Sequence, residues 1–143
     1  MMDTVDIVTL IISGMALAIS IFQFFIEKNR QKKEATLIAY NNLQKEVFSE
    51  LKKYDLKTIK KGDGGWDTVT RCLAIIENFS VGLNTGIYSL DILNRLGGGF
   101  FIEQYEELSF IISKKREENK NSKHYDEFEK VVNELRRKRG GVL

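Results

Sequence analysis

The chain has 143 residues, enough for one membrane-spanning segment and one compact domain of roughly 100 residues. Its apolar share of 43% excludes a globally disordered chain, and the absence of proline argues for long uninterrupted helices rather than an all-β fold. A net charge of +2 is too mild for a nucleic-acid-binding face, and the single cysteine, Cys72, excludes an intrachain disulfide or a multi-cysteine zinc site.

Charge is unevenly spread. All 22 Lys and Arg follow Ile26, while the first 26 residues carry only Asp3 and Asp6. Ile7 to Ile26 reads IVTLIISGMALAISIFQFFI, 20 residues without a charge. At about 1.5 Å per residue this run reaches about 30 Å, the thickness of a bilayer's hydrocarbon core. Lys28, Arg30, Lys32 and Lys33 follow at once. Basic residues stay on the cytosolic side, which predicts an inner-membrane anchor over 1–27 with its N-terminus out and C-terminus in. A cleaved signal peptide ending near Ala16-Leu17-Ala18 is the competing reading, but it lacks a basic n-region and the apolar run continues past the alanines. A buried core helix is the other.

Thr9, Ser13, Ala16, Ser20 and Gln23 are spaced 4, 3, 4, 3 and share one stripe of this helix. Extended outward the stripe meets Asp6; extended inward it meets Glu27, Arg30 and Glu34. Small and hydroxyl-bearing residues let membrane helices approach closely, and Gln23 can bond across such an interface. The stripe is therefore a candidate homo-oligomer contact, or the lining of a water-filled pore. The bland alternative is that single-pass helices carry such residues by chance.

No breaker separates this segment from 28–61, where Leu37, Tyr40, Leu43, Val47, Leu51 and Tyr54 follow helical spacing. The spacing predicts one rod from Ile7 to Tyr54, about 70 Å long, ending in a loop at Lys60–Gly65. Residues 62–143 read as a cytosolic helical domain. Trp66, Val69, Leu73, Ile76, Phe79 and Leu83 predict a second helix, with Gly86 as its stop. Ser89 or Asp91 would cap a third, containing Leu93, Leu96, Phe101, Tyr105, Leu108 and Ile112. Gly97-Gly98-Gly99 inside it mark a kink or the close packing of another helix; no strand precedes them and no GK[ST] follows, as a phosphate loop would require. Lys114 to Lys123 is a helix end and loop. A last helix over Lys123–Arg139 buries Tyr125, Phe128, Val132 and Leu135 and closes on Arg136-Arg137-Lys138-Arg139. Gly140 to Leu143 reads as a frayed tail. The fold class is all-α: an N-terminal transmembrane helix, continuous with a cytosolic helix, then a small bundle.

No residue set predicts catalysis. His124 is the one histidine and has no cysteine near it. Glu103, Glu106, Glu107, Glu117 and Glu118 have the spacing of a solvated helix face and lack the Glu-x-x-His of metal-binding bundles. GxSxG is absent. No cofactor or metal is expected. Polar residues do intrude on apolar faces at Arg71, Glu77, Asn84, Asn94 and Arg95, and such groups need partners. They predict a network in which Arg71 or Arg95 meets Glu77. Its purpose is either to specify the core or to form a pocket or docking surface centred on Trp66, Asn84, Tyr88 and Arg95.

The same central stretch carries W-x-x-V-x-R-x-L-A-x-I-E-x-F from Trp66 to Phe79. It continues as G-x-N-x-G-I-Y through Gly82, Asn84 and Gly86-Ile87-Tyr88, then D-x-x-N-R-L-G-G from Asp91 to Gly98 and Tyr105-Glu106. With Tyr125, Phe128, Leu135 and Arg136 these resemble a family of small, uncharacterised prokaryotic membrane-anchored proteins. The likeness covers about half the chain and implies a helical domain, a bacterial, archaeal or prophage source, and no transferable catalytic residue. Small membrane-anchored helical proteins include effectors of antiphage defence, a class-level association.

The expectation is thus an interaction protein rather than an enzyme. Its partners would be the lipid bilayer, sister copies and an unidentified protein trigger, with no nucleic acid. The cytosolic domain would sense its trigger and oligomerise, and the clustered anchors would permeabilise the membrane. A passive adaptor, or a small-molecule sensor built on Arg71, Glu77 and Arg95, are the alternatives.

Overall fold

A computed structural model describes residues 3–140. Its described residues form four helices and no strand: α1 (Thr4–Leu51), α2 (Trp66–Asn84), α3 (Leu90–Glu118) and α4 (Asp126–Lys138). The tail expected beyond Gly140 lies outside the described residues. Gly140 itself ends α4 with φ +76°.

The rod is continuous, as the lack of a breaker predicts, but it stops at Leu51 rather than Tyr54. Within it, Leu43–Phe48 widens into a π turn. The widened turn brings both Val47 and Phe48 inward beside Leu43 and Leu51, all four being buried. A regular stripe hid Phe48. It also placed Leu37 inside, whereas Leu37 is exposed and Thr36 is fully buried in its place.

Among the described residues, nothing packs on the outer half of α1. Its most apolar 18-residue window has a mean hydropathy of 2.3 and no buried residue. The helix is long and apolar enough to cross a membrane. The inner half belongs to the bundle: Tyr40, Leu43 and Val47 share one core with α2, α3, α4 and the loop residues Leu56 and Ile59. The boundary at residue 62 therefore divides segments that fold together.

Each stripe of α2 predicted to be buried is buried. Gly86 ends the helix with φ +82°, which a side chain rarely adopts, and its amide donates to the Leu83 carbonyl at 3.2 Å. Ser89 caps α3, accepting from the Ile92 amide at 3.4 Å. In α3 the kink falls at Gly97. A Cβ there would lie 1.9 Å from the Tyr40 hydroxyl, so bare backbone is needed for α1 to approach. The kink and the close approach are both present. Leu96 faces solvent. Phe101 at the centre stacks edge-on against Phe128 at 5.0 Å and Phe79 at 6.0 Å, joining α2, α3 and α4. In α4, Phe128, Val132 and Leu135 are fully buried as predicted, and Val131 joins them.

Candidate functional site

Glu77 meets neither arginine. Its carboxylate reaches across to α4 and accepts from the backbone amides of Glu127 (3.1 Å) and Phe128 (2.8 Å). These amides belong to the first turn of α4, where helix geometry leaves N–H groups without an internal partner. The residue before α4, Tyr125, is left-handed (φ 61°) and supplies no side-chain cap. Glu77 is thus a cap contributed by another helix, and its charge suits the positive end of the dipole. Asn84, two turns on, donates to the Glu127 carbonyl (3.1 Å) and carboxylate (2.7 Å). Lys130 first and then Asn84 hold the Glu127 carboxyl below its ordinary value.

The remaining candidates are dispersed. Arg71 is exposed on α2, and its charge falls on Glu50 of α1. Trp66 is buried at the start of α2 with the Lys115 ammonium 5.4 Å from its ring. Asn84 is 18 residues further along, about 27 Å away at helical rise. Tyr88 stacks on Phe79 at 5.2 Å and lies over Gly82, where a Cβ would come within 2.5 Å of its ring. With Leu43, Val47, Ile75 and Phe79 it lines a groove of about 260 Å³ between α1 and α2. Asn94 accepts from the Arg139 guanidinium at 3.0 Å. Arg95 is exposed beside Asp91. Trp66, Asn84, Tyr88 and Arg95 form no common pocket, because they occupy opposite ends and different faces of the bundle. Among the described residues, no three His, Cys, Asp or Glu side chains group to hold a metal ion.

Two joints escaped the sequence. Thr36 donates to the Lys32 carbonyl at 2.7 Å and accepts from the Ser89 amide at 2.8 Å, fixing the start of α3 to α1. Arg116 donates to the His124 carbonyl (2.8 Å) and to Glu129 (2.6 Å), closing the α3–α4 loop. A threonine four residues before Tyr40, in line with Tyr40, Leu43 and Val47, was the available signal for the first.

The stripe of α1 has a definite relation to the bundle. Thr36, Tyr40 and Leu43 face inward. On a regular helix of about 100° per residue, Thr9, Ser13, Ala16, Ser20 and Gln23 lie about 140–180° round from Thr36. All five are exposed. The Thr9 and Ser20 hydroxyls bond back to the carbonyls of Val5 (2.8 Å) and Ala16 (2.9 Å), which satisfies them within the helix. Glu27 and Arg30, further along the stripe, pair through two bonds at 3.0 and 3.1 Å.

The end of the bundle nearest the apolar half of α1 is basic. The α2–α3 turn, Thr85 to Ile87, borders a depression of about 430 Å³ with Lys28, Gln31, Lys32 and Ala35 of α1. Ile87 is 63% exposed there. Asp91, just beyond, binds the Lys138 ammonium at 2.8 Å. That bond first, then the charges of Lys138, Arg95 and Lys32, hold its carboxyl below its ordinary value.

A family profile described as "Domain of unknown function (DUF4760)" matches residues 10–135, from within the apolar segment to the end of the last core turn, and the chain belongs to that family. This agrees with the resemblance read from the central motifs, to an uncharacterised family. No curated protein and no solved structure matches.

Proposed function

We propose that this member of the DUF4760 family is a single-pass inner-membrane protein that self-associates through α1 and permeabilises the membrane once its cytosolic bundle has met a trigger, as an effector of antiphage defence. The apolar half of α1 spans the bilayer, N-terminus out, because the basic cluster begins at Lys28 on the side of the bundle.

One observation carries the self-association: the polar stripe lies on the face of α1 turned away from the bundle. Copies that meet along Thr9, Ser13, Ala16, Ser20 and Gln23 leave their bundles outside the contact. No clash then opposes close approach, and Gln23 is free to bond across it. In a ring of such helices the stripe lies at the inner edge of each contact, where Ser13 and Gln23 can face water, surroundings that suit polar groups at membrane depth.

Potassium efflux after induction in cells is the test. Wild type should leak, and Ser13→Leu, Ser20→Leu and Gln23→Leu combined should not, with membrane insertion retained. Undiminished leakage in the triple variant defeats the pore. Full activity with an unrelated transmembrane helix in place of residues 1–26 reduces the protein to a passive anchor.

A further inference from the structure

The basic end of the bundle faces the lipid headgroups if α1 spans the bilayer. Lys28 and Lys32 follow Ile26 by two and six residues, about 3 and 9 Å along the helix. The headgroup layer on each face is about 5–8 Å deep. The α2–α3 turn borders Lys28 and Lys32 and is bonded through Ser89 to Thr36, about 15 Å along α1 from Ile26, so it stands just outside this layer when α1 is upright. Arg95, Lys138 and Arg139 lie further back, on the first turns of α3 and the end of α4 around Asp91 and Asn94, close to where Gly97 packs on Tyr40, about 21 Å along α1 from Ile26. On the bundle side this end therefore carries five cations, Lys28, Lys32, Arg95, Lys138 and Arg139, against the carboxylate of Asp91, while Glu27 and Glu34 lie on the opposite face of α1 beside Arg30. At its tip Ile87 is exposed in a glycine-led turn, with no apolar neighbour across the depression except Ala35. An exposed apolar side chain beside two lysines, Lys28 and Lys32, is the composition that binds an anionic membrane surface.

We infer that the membrane-facing end of the bundle is a lipid-binding surface, with Ile87 entering the interface, Lys28 and Lys32 holding the headgroups of anionic phospholipid, and the cations behind them drawing the bundle down. This rests on the anchoring proposed above. Its consequence is a second attachment: because the bundle shares its core with α1, the two tilt together, leaning onto the α2–α3 turn in anionic lipid and standing upright in neutral lipid, so lipid charge sets the tilt.

The test uses the full chain with Cys72→Ser, reconstituted in bilayers of phosphatidylcholine alone or with phosphatidylglycerol. An environment-sensitive label is placed at Ile87→Cys, at Leu17→Cys within the apolar segment, or at Lys57→Cys at the far end of the bundle. A lipid-borne quencher reports contact. Position 17 should be quenched in both lipids and position 57 in neither. Position 87 should be quenched in the phosphatidylglycerol bilayer and much less in phosphatidylcholine or at high salt. Each of Lys28→Gln and Lys32→Gln should lower the docked-to-undocked ratio about fivefold, and Arg95→Gln, set further back, by less. Equal quenching at 87 in both lipids, or none in either while 17 is quenched, overturns the lipid surface and leaves the anchor standing. Absence of quenching at 17 overturns both.

Discussion

At the scale of single residues, the bundle is fixed by side chains that satisfy another helix's backbone. Glu77 is the clearest. Removing its carboxylate strands two amides in the first turn of α4, so Glu77→Ala should destabilise the solubilised protein by about 1–2 kcal/mol in urea melts. Arg71→Ala and Arg95→Ala, at exposed positions off that contact, should stay within about 0.5 kcal/mol of wild type. Gly97 gives a second prediction. Gly97→Ala drives a methyl into the Tyr40 hydroxyl and should cost about 1–3 kcal/mol. Tyr40→Phe should recover part of that loss, read as a coupling energy in a double-mutant cycle. Glu127 adds a pH dependence. Its folded pKa is depressed, first by Lys130 and then by Asn84. The stability it contributes is complete above the ordinary carboxylate value near pH 4 and is lost as pH falls through the depressed folded value. Melting temperature should therefore drop on acidification below about pH 4, less steeply in Glu127→Gln.

At the scale of elements, periodicity revealed what depends on one helix and concealed what depends on two. The buried stripe of α2, its stop at Gly86 and the cap at Ser89 follow from local chemistry, and each was legible. Glu77 and Asn84 were legible as polar residues needing partners. Their actual partner is the first turn of α4, 43 to 51 residues away, and charge complementarity pointed instead to an arginine. The π turn at Leu43–Phe48 was invisible because nothing in LQKEVF departs from helical composition; only Phe48, one place off the stripe, hinted at it. Thr36 belongs to the same class. It sits fully buried where a leucine was expected next door, because its hydroxyl accepts the Ser89 amide. Thr36→Val keeps the shape and leaves that amide without its bond, at a cost of about 1–3 kcal/mol. Amide exchange at Ser89 and at the first turn of α3 should accelerate with it.

At the scale of the whole molecule, the angle between stripe and bundle is the property on which the proposed function turns, and it can be changed without altering a side chain in either. Both sit on one continuous helix, so residues inserted between Lys28 and Asn29 rotate one against the other by about 100° each. Two alanines turn the stripe about 200°, towards the bundle side. A partner helix approaching the stripe would then meet the bundle, whose helices each add about 10 Å of width. The α1 helices would be held apart at their inner ends, where Gln23 needs contact. Seven alanines rotate the stripe by only about 20° net and restore the outward placement, although the rod is longer. Disulfide crosslinking of Ser13→Cys in the Cys72→Ser background, in native membranes, reads the contact directly. Wild-type spacing and the seven-residue insertion should crosslink, and the two-residue insertion should not. Potassium efflux should follow the same order. If the two-residue insertion crosslinks as well as wild type, the bundle has no say in how the membrane helices meet, and opposite placement of stripe and bundle loses its functional meaning.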